Sequence, residues 1–234
     1  MTEQTESCDI KEKSCCCAGS APEAKVDLKS HWDKAYESSD LNKLGWYEEI
    51  PEPSLRLLEK CKLDKEAAIL NIGAGTSHFI DELIAQDYRR IIVNDISSVA
   101  LERLKNRLDP VNLQRLEWIC DDLTNPSELT KLEPVDLWHD RAVLHFFQDI
   151  KEQDTYFALL KSLVKTGGFA ILAEFSLEAA DKCSGLPVFR YSDEMLSEKL
   201  GNDFNLIESF KFTYQMPTGD DREYVYTLFK RLHP

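Results

Sequence analysis

Two glycines separated by one residue, Gly73 and Gly75, follow the apolar run Ala67–Ile72 at once, and Asp95 stands twenty residues past the second of them. Without a Cβ, glycine lets the backbone come close to a ligand. An acid at the tip of the next strand can accept both hydroxyls of a ribose. Together these residues suit a nucleoside. A dinucleotide site would need a third glycine where His78 stands, because the pyrophosphate lies on the helix N-terminus and the helix packs tightly on its strand. No lysine follows as in a triphosphate-binding loop. A glycine turn without phosphate machinery suits a nucleoside that carries an amino acid. Acids recur after later apolar runs, as Asp121-Asp122 and as Asp140. An acid in the first of these places can accept from an adenine amino group while the next backbone N–H donates to a ring nitrogen; the alternative is two exposed turn acids.

These residues need strands that end together. Ala67–Ile72, Ile91–Asp95, Leu116–Cys120, Val135–Asp140 and Phe169–Glu174 are short and strongly apolar, as strands covered on both faces must be. Helical periodicity lies between them: Phe79–Ile84 with Thr76 and Ser77 at its start, Val99–Leu108 stopped by Asp109-Pro110, and Gln153–Leu163 closed by Lys165 and the turn Thr166-Gly167-Gly168. Upstream, Leu28–Ser38 carries Trp32 and Tyr36 on one face, and Pro51 and Pro53 lead into a helix from Ser54 to Lys62. Downstream, an irregular loop over residues 176–192 precedes a helix at Asp193–Leu200, and the chain ends in two strands, Phe204–Tyr214 and Glu223–Lys230. Alternating strands and helices describe an α/β, doubly wound sheet, whose ligands collect at the carboxyl ends of its strands.

The composition narrows the partners. A chain of 234 residues with 43% hydrophobic content fills one such domain. A net charge of −14 argues against nucleic acid, whose binding rests on lysine and arginine, and suits cationic or neutral substrates. No window reaches the roughly 18 apolar residues of a membrane span, and no secretory signal pattern is visible. Seven cysteines, an odd number, are expected as reduced thiols in the cytoplasm. Residues 1–27 read as a disordered tail, with Cys15-Cys16-Cys17 as an unstructured cluster, a soft-metal or metalloid site, or an acylation site.

The stretch AAILNIGAGTS resembles motif I of the class I S-adenosylmethionine-dependent methyltransferases, and Asp95 falls at that family's ribose-binding acid. DRAVLHFF, from Asp140 to Phe147, resembles its motif IV region. HWDKAY followed by GWYEEIPEP resembles the N-terminal cap of the citrate synthase and elongation factor lysine methyltransferases. The resemblance covers residues 31–231 and implies a seven-stranded Rossmann-like sheet in the order 3-2-1-4-5-7-6, with the methyltransferase domain over 28–234 and a helical cap over 28–62. It implies S-adenosylmethionine as cofactor, held by Gly73, Ala74, Gly75, Asp95, Ile96, Asp122, Leu123 and Asp140, with Trp32, Tyr36 and Trp46 screening the sulfonium methyl from water. Asp140 and His145 are the implied catalytic residues, although His145 also reads as packing. Cys183, Arg190 and Tyr191, in the 176–192 loop, are the candidates to shape the acceptor pocket, with no metal in the site. The acceptor is a small molecule or a protein side chain such as lysine. Because Asp140-Arg-Ala-Val replaces an NPPY signature, nucleobase and glutamine amides are not the expected acceptors. A catalytically silent S-adenosylmethionine-binding or partner-binding module is the alternative.

Overall fold

The strand Ala68–Ile72 (β1) is buried along its whole length, and the sheet grows outward from it on both sides. The structure, a computed structural model, describes residues 26–233; the Cys15–Cys17 cluster lies outside them. The other strands are β2 Arg90–Asp95, β3 Leu116–Cys120, β4 Val135–Arg141, β5 Val164–Phe175, β6 Phe204–Gln215 and β7 Asp221–Arg231. Their order is 3-2-1-4-5-7-6. The first five are parallel, with Ile69 opposite both Ile91 and Leu137. β7 enters antiparallel between β5 and β6.

Period-two alternation divides the core. Ile69, Leu137 and Ile171 face Leu57, Phe79, Leu83 and Leu104. Leu70, Trp138 and Leu172 face Tyr156, Leu160, Leu196 and Leu200 on the other side. The covering helices are α1 Leu28–Ser38, α2 Glu52–Cys61, α3 Phe79–Ala85, α4 Ser98–Arg107, the short α5 Pro110–Leu113, α6 Ile150–Leu163 and α7 Asp193–Leu200. Among the described residues no helix is long and apolar enough to cross a membrane.

Several boundaries differ from the sequence reading for local reasons. Helix α2 starts at Glu52, since Pro51 and Pro53 fit a first turn that needs no N–H partner. Asp109-Pro110 follows the end of α4 as expected, and Pro110 then opens the separate short α5, whose cap is Asp109 accepting from the Val111 N–H. Asp149 caps α6, which starts at Ile150, three residues before the periodicity begins. Thr166–Gly168 sit inside β5 as an irregularity, where its pairing with β4 passes from Val135–Val164 to Leu137–Phe169. The 176–192 loop carries a small hairpin, Lys182–Cys183 against Leu186–Pro187, and a bridge between Ser176 and Tyr191.

The segment before β1 is tied to α4. The Ser97 hydroxyl donates to Asp33 Oδ1 at 2.6 Å, and Arg103 donates to the carbonyls of Ser39, at 2.8 Å, and Tyr36. These bonds set α1 across the carboxyl ends of β1 and β2.

Candidate active site

Gly73 and Gly75 both adopt φ of +52°, where only glycine sits without strain. A Cβ built on Gly73 would lie 2.1 Å from Val143 Cγ2, and one on Gly75 would lie 2.2 Å from the Tyr36 hydroxyl. The Gly75 N–H donates to Asp95 Oδ2 at 2.7 Å and the Ser97 N–H to Oδ1 at 2.8 Å, fixing the carboxyl beside the turn. Ala74 is buried in the bend, its N–H bonded to the Asn94 carbonyl. Asp95 is 5% exposed. Burial lifts its pKa to about 6, although the Ser97 and Gly75 N–H groups pull the other way.

Around this turn opens a cleft of about 740 Å³, mouth included, inside the range of roughly 300–1,000 Å³ that small-molecule sites occupy. Asp95, Ile96, Asp122 and Leu123 lie along one wall. Asp121 uses both carboxyl oxygens to hold the turn at Ser127–Leu129. Asp122 engages only Oδ1, with the Thr124 N–H and hydroxyl. The roof is aromatic. Trp32 meets Trp46 edge-on at 5.3 Å and Phe146 at 5.0 Å, and the Trp46 indole N–H donates to the Tyr36 hydroxyl at 3.1 Å. A backbone that a Cβ would obstruct, an acid held at the tip of β2 and an aromatic roof suit an adenosine with an amino-acid tail.

The far end of the cleft is formed by Arg141, Ala142, Val143, Phe146, Phe147 and Cys183. Ala142 has φ of +68°, an uncommon conformation for a residue with a side chain and a mark of functional turns. Burial raises the Cys183 thiol to about 11, so it stays protonated at neutral pH.

The two implied catalytic residues lie elsewhere. Asp140 is 0% exposed and faces away from the cleft, accepting from the Tyr156 hydroxyl at 2.6 Å and the Val143 N–H at 3.1 Å. Burial and the nearby Glu174 carboxyl drive its pKa well above the usual range. It therefore anchors the turn after β4 and does not line the cleft. His145 is also 0% exposed, between the rings of Phe146 and Phe175 at 4.5 Å each. Its Nδ1 is 2.9 Å from Glu174 Oε2 but out of line for a hydrogen bond; that oxygen accepts instead from the His145 backbone N–H. Burial lowers the imidazole pKa to about 3, so it is neutral. Replacing His145 by phenylalanine should leave the melting temperature within a few degrees and keep the shape of the activity–pH profile, since two unpaired ring nitrogens are exchanged for apolar edges. Loss of one limb of that profile, with activity down roughly 100-fold, would restore a base role.

Two of the three loop residues also point away. Arg190 donates to the Ala179 carbonyl at 3.0 Å and braces the loop. Tyr191 is 1% exposed, bonded through its N–H to the Phe175 carbonyl and packed on Phe189. Of the loop candidates, Cys183 alone lines the cleft.

Sequence reasoning passed over Arg141 and Glu48. The Arg141 side chain, 10% exposed, pairs through Nε with Glu48 Oε2 at 2.9 Å, donates to the Tyr226 hydroxyl and lies 5.1 Å from the ring centroids of both Tyr214 and Tyr224. The available signal was an arginine at the carboxyl tip of an otherwise apolar strand. His139, stacked on Phe79 at 3.9 Å, joins Asn71 to Ser54 beneath the turn and is kept neutral by burial, with a pKa near about 3.

The fold matches known proteins. Residues 69–168 match the family model described as a methyltransferase domain. The EEF1A lysine methyltransferase 2 of Danio rerio is 28% identical over 162 residues, covering 64% of this chain and 69% of that one. A SAM-dependent methyltransferase from Anabaena variabilis superposes with a TM-score of 0.70 at 14% identity, over 87% of this chain and 93% of the other. The 1,6-didemethyltoxoflavin-N1-methyltransferase of Burkholderia thailandensis, solved with S-adenosylhomocysteine bound, gives 0.65 at 16% identity, over 88% and 87%. The strand order, the glycine turn, the acid at the tip of β2, the matched domain and the relatives together support a class I S-adenosylmethionine-dependent methyltransferase.

Proposed function

We propose that the enzyme methylates a lysine side chain on a protein, with S-adenosylmethionine bound across the glycine turn. The kinship to enzymes named for lysine methylation carries this reading. It is supported by a net charge of −14, which favours a basic partner, and by an apolar far wall at Val143, Phe146 and Phe147 that suits an alkyl chain. Among the described residues Cys61, Cys120 and Cys183 are free, which supports a reducing compartment such as the cytoplasm.

Bound S-adenosylmethionine supplies a methyl group already activated on a sulfonium. The chain's task is then to align and to exclude water, and orientation is worth about 7–11 kcal/mol. In this reading Asp95 accepts the ribose hydroxyls, with Ile96 alongside, and Asp122 and the Leu123 N–H read the adenine. Gly73, Ala74 and Gly75 admit the amino-acid end. Trp32, Tyr36 and Trp46 form the dry roof, and Cys183 lines the acceptor side.

With Asp140 and His145 withdrawn into the core, no imidazole or strand-four carboxylate among the described residues lines the cleft to take a proton. A lysine, with an ordinary pKa near 10.4, must then lose its proton to solvent before it attacks. Initial rates at subsaturating acceptor should climb about tenfold per pH unit between pH 7 and 9. A flat profile would point to an acceptor that is already a strong nucleophile.

Incubating the enzyme with methyl-labelled cofactor and purified elongation factor 1A, beside total extract, tests the substrate class. Label on a lysine of a protein band is expected. Label confined to the low-mass fraction would transfer the assignment to a small molecule.

A further inference from the structure

Arg141 lines both the cleft and an adjoining chamber behind the glycine turn, whose other walls include Glu48, Asn71, Thr76 and Ser77. A guanidinium carries five N–H groups. The Nε hydrogen goes to the Tyr226 hydroxyl, with Glu48 Oε2 2.9 Å from Nε as an ion pair, and one Nη1 hydrogen goes to the Trp46 carbonyl at 3.0 Å. Nη2 is buried and makes no hydrogen bond among the described residues. Leaving a buried charged donor unpaired is costly, and the Tyr214 and Tyr224 rings pack against this one at 5.1 Å each. The Nη1–Nη2 edge has the fork geometry that matches two oxygens of one carboxylate. The chamber also presents an acid, Glu48, whose ion pair uses Oε2 only.

We infer that Arg141 is the carboxylate-reading residue of this enzyme, receiving the anion on its Nη2 edge where cleft and chamber meet. The inference rests on the cofactor reading above. Two carboxylates could reach that edge: the one on the cofactor's amino-acid end, for which Glu48 offers a complementary acid to the ammonium, or one on the acceptor. Their shared chemistry is the assignment, and the experiment separates them.

Titration calorimetry with S-adenosylhomocysteine and with 5′-methylthioadenosine, which lacks the amino-acid end, would be run on the wild type, Arg141→Lys, Arg141→Met and the charge-balanced double variant Arg141→Met/Glu48→Gln. Methylthioadenosine needs only the adenosine wall and so reports that each variant is folded. A cofactor-end role predicts that Arg141→Met weakens S-adenosylhomocysteine roughly 10- to 100-fold, with methylthioadenosine unchanged and Arg141→Lys intermediate. An acceptor-end role predicts unchanged affinity for both nucleosides, but a rise in melting temperature of the S-adenosylhomocysteine complex with sodium acetate over sodium chloride, present in the wild type and absent in Arg141→Met. If neither difference is seen in folded variants, Arg141 is a structural cation and the inference is overturned. If the wild type binds neither nucleoside, the cofactor reading itself fails, whatever Arg141 does.

Discussion

Replacing Gly73 by alanine should weaken S-adenosylhomocysteine binding by roughly 100-fold or more, about 2.7 kcal/mol, while the protein stays folded. Two effects combine. At φ of +52° an L-residue carries a strain of about 1–2 kcal/mol. The new methyl would also lie 2.1 Å from Val143 Cγ2, on a β-branched side chain with little rotamer freedom. Val143 cannot withdraw easily, because its N–H is bonded to the buried Asp140 and its neighbour Ala142 is bonded to the Ala173 carbonyl. The turn must therefore move, and with it the backbone that admits the ligand. Val143→Ala removes the colliding methyl, so the double variant should recover part of the lost affinity; such coupling between contacting residues is what a double-mutant cycle measures. Calorimetry on the four proteins, with circular dichroism as the folding control, decides the matter. A single Gly73→Ala variant that binds within threefold of the wild type would remove the turn from the binding site.

The second large effect is in pH. Asp95 has a pKa of about 6 in the free protein, and the proposed ribose contact is strongest to the carboxylate. If only the ionised form binds well, apparent affinity scales with its fraction, so S-adenosylhomocysteine should bind about tenfold more weakly at pH 5 than at pH 7.5 and be nearly constant above pH 7. The effect on folding runs the opposite way. A carboxyl whose pKa rises from 3.8 on folding stabilises the native state fully below 3.8, and that stabilisation is lost as pH climbs through about 6, on the order of 3 kcal/mol in all. The ligand-free protein thus gains from protonating Asp95 while the complex loses. Asp95→Asn should flatten the affinity profile and bind about tenfold more weakly at pH 7.5, having lost the charge-assisted contact. A wild-type affinity that is level from pH 5 to 7 would refute the role given to Asp95.

The residues legible in advance share a property: their placement follows from local sequence. Gly73, Gly75, Asp95 and Asp122 each sit where an apolar strand ends, and in a parallel sheet those ends form one rim. Trp32 and Tyr36 share a helix face through their spacing alone. The misreadings also share a property. Asp140, His145 and Tyr191 have the right chemistry at the right strand end, but the side to which each turns depends on what packs there. Tyr156 of α6 draws Asp140 into the core, the Glu174 carboxyl beneath the turn at 144–146 holds the His145 backbone, and the Phe175 carbonyl draws Tyr191 inward.

The amino-acid sequence by itself determined the strand succession, the open glycine bend and the acids beside it, since these are set by periodicity, backbone freedom and short-range spacing. Tertiary structure alone decided that Arg141, not Asp140, lines the cleft, and that Glu48 from the segment before β1 meets it. Adjacent strand residues alternate between faces, and nothing within the strand says which face will be roofed by a helix and which left open to the cleft.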